Sequence, residues 1–101
     1  NLQLNGSNIH ISGITIVGNL GEPGDPGPGD EGNGVSMRND HKNIFLTNLE
    51  ISKTWDSGIL AGSDNEVEIR GVTLKDIDAD AINFESDNIV VIDDCDDHWL
   101  E

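Results

Sequence analysis

Apolar residues alternate with polar ones in short segments throughout the chain. Leu2-Gln3-Leu4, Val35-Ser36-Met37, Ile59-Leu60-Ala61 and Ile82-Asn83-Phe84 line up as short segments with inward residues at alternate positions. This is the period of strands whose side chains point to opposite faces. The segments also recur at a fixed distance. Ser63-Asp64-Asn65 returns as Ser86-Asp87-Asn88, 23 positions later, and the match extends outward in both directions. Ile44, Val67 and Val90 align, as do Leu46, Ile69 and Ile92, then Leu49, Val72 and Cys95, and Ile51 with Leu74. An earlier copy, Ile9, Ile11, Ile14 and Ile16, lies 35 positions before the second. About a dozen residues are therefore inserted, and the Gly- and Pro-punctuated acidic stretch 19–32 is where they fall.

Each repeat holds three short strands, and the corner between the second and third is two residues long. The second corner residue is Gly13, Asn48, Gly71 and Asp94 in successive copies. All four tolerate a left-handed backbone: glycine because it lacks a Cβ, Asn and Asp through local side-chain hydrogen bonds. Three strands joined in this way cannot form hairpins, so the polypeptide must coil and stack each strand on its predecessor. The expected fold is all-β, a parallel β-solenoid of about four coils of roughly 23 residues with three short strands each. It forms one domain over 1–101 with a loop insertion at 19–32. Only three Ala stand against eighteen Ile plus Val and twelve Gly, which also favours strands and turns over helix.

This organisation resembles the right-handed parallel β-helix of the pectin-lyase-like superfamily over nearly the whole chain. The resemblance implies the right hand of the coil and an extracellular, secreted setting. The sequence begins directly in a strand at Leu2 and runs six residues beyond Cys95 without a capping element. The expectation is an excised piece of a longer β-helix or ends that stack on other copies.

Charge narrows the partners. Five Lys plus Arg against twenty Asp plus Glu give a net charge of −15, which excludes a nucleic-acid binder held by phosphate contacts. No apolar run approaches the ~20 residues of a membrane-spanning helix. The acidity is also uneven: residues 1–20 contain no Asp, Glu, Lys or Arg, whereas the stretch after Lys75 has ten acidic residues and no Lys or Arg. Stacking of coils brings the loops between third and first strands to one edge, where Glu22, Asp25, Asp30, Asp56, Asp78 and Asp80 would meet. Clustered carboxylates match the hard oxygen ligands of Ca²⁺, making Asp56, Asp78 and Asp80 the expected metal residues.

Two enzyme resemblances touch the same residues. Asp78-Ala79-Asp80 followed by Val91-Ile92-Asp93-Asp94 resembles the calcium-binding Asp-x-Asp and the Trp-Ile-Asp-His box of pectate lyases, with Val91 and Asp94 in place of the Trp and His. The later arginine base of those lyases has no counterpart. Asp56, Asp80 and His98 resemble the acidic and His positions of polygalacturonases, which act by inversion through a carboxyl pair. Catalytic residues are left unassigned. Trp55 is a sugar-stacking candidate, and Arg38 and Lys53 are candidates for meeting a uronate carboxylate. Cys95 reads as a core thiol and not a zinc ligand with His98, while Asn65 and Asn88 read as a stacked, hydrogen-bonded ladder. The functional expectation is an extracellular β-helix that binds or acts on an acidic polysaccharide, with Ca²⁺ bridging protein and sugar carboxylates. The alternative is a non-catalytic module that self-assembles end to end.

Overall fold

Aliphatic residues at every second position draw the polypeptide into short extended segments, and their spacing decides what each segment pairs with. The computed structural model of the protein describes residues 2–18, 32–93 and 96–97. These form β1 (Leu2–Leu4), β2 (Ile9–Ser12), β3 (Thr15–Val17), β4 (Val35–Met37), β5 (Ile44–Thr47) and β6 (Glu50–Thr54). They continue as β7 (Ile59–Ser63), β8 (Glu66–Arg70), β9 (Thr73–Ile77), β10 (Ile82–Ser86), β11 (Ile89–Asp93) and β12 (Asp96–Asp97).

Every third strand joins the same sheet. The first sheet has the order β1-β4-β7-β10, the second β2-β5-β8-β11 and the third β3-β6-β9-β12, and all pairs are parallel. The protein is thus all-β and β-solenoid-like. The register is the one the repeat specifies. Leu2, Val35, Ile59 and Ile82 form one column across the first sheet. Ile11, Leu46, Ile69 and Ile92 form another across the second, and Ile16, Ile51 and Leu74 a third.

These columns meet inside the coil and make the core. Leu46, Ile51, Ile59, Ile69, Val72 and Leu74 are all 0 % exposed. At the outer coils burial falls away: Ile14 is 41 % and Ile92 51 % exposed. Each coil is covered only by its neighbours, so burial peaks in the middle of the stack.

The corner residues behave as their chemistry requires. Gly13, Asn48 and Gly71 have φ of 73°, 52° and 62°; Asp94 and Cys95 lie outside the described residues. The corner between first and second strands shows the same conformation at Asp64 and Asp87, with φ of 60° and 56°, which accounts for the repeated Ser-Asp-Asn. The neighbouring asparagines form the expected ladder. Asn65 N donates to Asn88 Oδ1 at 2.9 Å and His41 N to Asn65 Oδ1 at 2.9 Å. The amides also reach backwards: Asn65 Nδ2 donates to Arg38 O and Asn88 Nδ2 to Gly62 O, both at 2.7 Å. The ladder therefore ties each coil to the next through backbone groups. A third left-handed position, at Lys53 and Asp76 (φ 58° and 55°), interrupts the pairing of β6 and β9 between Ser52↔Lys75 and Thr54↔Ile77. Lysine carries no sequence signal for a left-handed position within a strand.

Candidate functional site: the first-sheet face and its acidic edge

The loops that leave the third sheet and enter the first stack on one another through backbone hydrogen bonds. Asp78 N donates to Thr54 O at 3.0 Å, Ala79 N to Asp56 O at 3.3 Å, and Gly58 N to Asp80 O at 3.0 Å. On the preceding coil Asp56 N donates to Gly32 O at 3.0 Å. The register thus sets Trp55 level with Asp78, Asp56 level with Ala79, and Ser57 level with Asp80. Trp55, Asp56 and Asp80 are half-buried and Asp78 is exposed. The loops that carry Asp56, Asp78 and Asp80 are stacked on one another in the backbone. Asp56 and Asp80 are one coil and one residue apart on it, about 6 Å between backbone positions from strand spacing and rise.

The edge is anchored on its inner side. Asn33 and Ser57 are buried, and Ser57 N donates to Asn33 Oδ1 at 3.0 Å. Among the described residues no group of three or more His, Cys, Asp or Glu side chains forms a metal-holding cluster. The expected metal residues Asp56, Asp78 and Asp80 are therefore not gathered into such a cluster, and the six to eight oxygens of a Ca²⁺ shell would need more donors than these three. Glu22, Asp25 and Asp30 of the expected cluster lie outside the described residues, as do Cys95, His98 and Trp99.

Arg38 is not part of this edge. It follows β4 at the opposite end of the first sheet, about 17 Å from the level of Asn33 if the five residue steps between them are extended. There it lines a groove of ≈ 270 Å³ on the outer face, with Gln3, Ser36, Asn39, Leu60 and Glu85. Gln3, Ser36 and Leu60 share one outward row, because Gln3 pairs with Ser36 and Ser36 with Leu60. Gly62 forms the floor beside it. A Cβ there would lie 2.3 Å from Asn39 Oδ1 and 2.7 Å from Arg38 O, so any side group at this position would push the coils apart. Asn39 Oδ1 accepts from Ser63 N at 2.7 Å, which fixes the groove wall. Sequence reasoning singled out Arg38 and missed the rest. The signal was available in the alternation, since Gln3, Ser36 and Leu60 are the outward members of the alternating segments.

Lys53 stands at the left-handed position of β6, two residues before Trp55, and is exposed. It belongs to the acidic edge by position, so the two candidate cations serve opposite ends of the first sheet. The remaining cations form ion pairs on the other faces. Lys75 pairs with Glu50 at 3.2 Å and Lys42 with Glu66 at 3.8 Å. Arg70 pairs with Glu68 at 3.0 Å and also with Asp93. The hydrogen bond and charge of Glu68 hold the Arg70 guanidinium above its ordinary range. These pairs bridge or brace adjacent coils on exposed surface, where each contributes little to stability.

The arrangement provides amide, hydroxyl and guanidinium groups and the Glu85 carboxylate around a shallow trough, with Leu60 and Met37 as its apolar lining. Further carboxylates lie at the far end. Such a trough can hydrogen-bond ring hydroxyls and meet a carboxylate with Arg38. No family model, curated protein or solved structure matches this protein. No helix among the described residues is long and apolar enough to cross a membrane.

Proposed function

We propose that this protein is a right-handed parallel β-helix of the pectin-lyase-like kind that binds an acidic polysaccharide outside the cell, along the outer face of its first sheet. The observation that supports this reading is the groove lined by Arg38, lying on the same sheet as the stacked Trp55/Asp56 and Asp78/Asp80 loops. A uronate carboxylate meets Arg38 in the groove. At the other end Ca²⁺ links Asp56, Asp78 and Asp80 to sugar carboxylates, which complete a shell the protein alone leaves short. The bridge is needed because a protein at −15 repels a polyuronate unaided. Trp55 offers a ring for stacking and Lys53 a cation beside it. This is a binding role, and no residue is assigned to bond cleavage.

Replacing Asp78 and Asp80 together by Asn is expected to weaken Ca²⁺ binding by about tenfold or more, roughly 1.4 kcal/mol. Calcium titration calorimetry in the presence of an oligogalacturonate reads this directly. An unchanged isotherm would remove the acidic edge as the metal site.

A second reading is favoured by one observation. The core column that ends in Ile92 is half open, with Ile92 itself 51 % exposed. A further coil, from this protein or a second copy, would cover it, and end-to-end stacking of copies would build a filament. Sedimentation velocity on the same calcium-containing and chelated samples separates the two. Calcium-dependent growth in mass without polysaccharide supports the second reading, and a constant mass supports the first.

A further inference from the structure

Asn-Gly occurs twice in this protein, at Asn5-Gly6 and Asn33-Gly34, and the fold treats the two in opposite ways. Asn5 is exposed in the bend between β1 and β2. Neither its amide group nor the Gly6 N–H takes part in a hydrogen bond among the described residues. Space around Gly6 is open, with no atom within 4 Å of the position a Cβ would take. Asn33, in contrast, is 2 % exposed. Its Oδ1 accepts from Ser57 N at 3.0 Å, and the N–H of Gly34 donates to Ser57 O at 3.1 Å.

We propose that Asn5 is a site of spontaneous modification, converting to aspartate and isoaspartate through a cyclic imide, while Asn33 is protected by the inter-coil ladder. The reaction needs only water and a solvent base. The Gly6 backbone nitrogen gives up its proton and attacks Asn5 Cγ. A new bond forms between that nitrogen and Cγ, the bond from Cγ to Nδ2 breaks, and Nδ2 takes a proton and leaves as ammonia. Water then opens the five-membered ring at either carbonyl. Opening at one carbonyl gives Asp; opening at the other gives isoaspartate, which lengthens the backbone by one carbon. Glycine at position 6 favours the approach because no side group shields the attacking nitrogen. At Asn33 the same attack requires Gly34 N to leave Ser57 O and Asn33 Oδ1 to leave Ser57 N, opening the first sheet between its second and third coils.

The product places a new carboxylate one residue beyond Leu4, which pairs with Met37, so it stands level with Arg38. On the polysaccharide reading, which this consequence rests on, the aged protein binds an acidic ligand more weakly. The modification itself does not depend on that reading and is measured without any ligand.

The test is incubation of the whole folded protein in mildly alkaline heavy-oxygen water, followed by peptide fragmentation in a mass spectrometer. Solvent oxygen is expected at residue 5, with residue 33 about tenfold slower or more, because its reaction waits on local opening. Gly6→Ala should slow residue 5 several-fold while retaining the fold, since the added methyl meets open space and the position has no left-handed φ. In urea the two sites should react at similar rates. No label at residue 5, equal rates in the folded protein, or a residue 33 that stays slow in urea would each overturn the proposal.

Discussion

Leu46→Ala is expected to destabilise the protein by about 2–5 kcal/mol. Leu46 is fully buried and sits in β5 between Ile11 of the coil below and Ile69 of the coil above. Strand spacing in a stacked coil is set by the hydrogen-bond ladders on both sides. The neighbouring coils therefore cannot close into the space a smaller residue leaves, and the cavity cost is retained. Against a total of about 5–15 kcal/mol for an ordinary domain, a loss of that size moves the urea midpoint well below that of the parent. Ile92→Ala belongs to the same column but removes a half-exposed group, so its midpoint should shift far less. Equal shifts for the two would contradict a core that is centred on the middle coils.

The second large effect concerns a polar residue. Asn65→Leu keeps the approximate shape of the residue and removes both of the inter-coil bonds its amide makes. His41 N loses its acceptor and Arg38 O loses the Asn65 Nδ2 donor, at about 1–3 kcal/mol for each buried group left unsatisfied. With His41 half-buried and Arg38 at the surface, water recovers part of this, and a loss of roughly 2–4 kcal/mol is expected. Thermal unfolding of Asn65→Leu beside Asn88→Leu reads it. Asn88 is only half-buried, so its replacement should shift the midpoint less. A leucine at 65 that melts with the parent would mean that the ladder does not hold the coils together.

The core columns were legible because a solenoid repeats one environment at one spacing. Ile44, Val67 and Val90, or Leu46, Ile69 and Ile92, are interchangeable aliphatics, and the offset alone gives their partners. The corner at Gly13, Asn48 and Gly71 was legible for the same reason, since only a few residue types accept its backbone. The left-handed position at Lys53 was hidden. A left-handed lysine is held there by the strands on both sides and not by its own preference. The site was half legible. Backbone stacking of Asp56, Asp78 and Asp80 follows from the repeat, and the hydrogen bonds of the edge agree with it. The separation of Arg38 from that edge could have been read from the repeat, since Arg38 directly follows the segment Val35-Ser36-Met37 whereas the acidic loops precede the first strands. The groove required knowing that Gly62 lets Arg38 O and Asn39 approach, a contact between residues 23 and 24 positions apart.

The most direct measurement of the functional account is titration calorimetry of polygalacturonate into this protein with calcium, and again with chelator. The account predicts binding in calcium, loss of binding in chelator, and a weaker isotherm for Arg38→Ala in calcium. An absence of binding in calcium, or binding that survives the chelator unchanged, would contradict it.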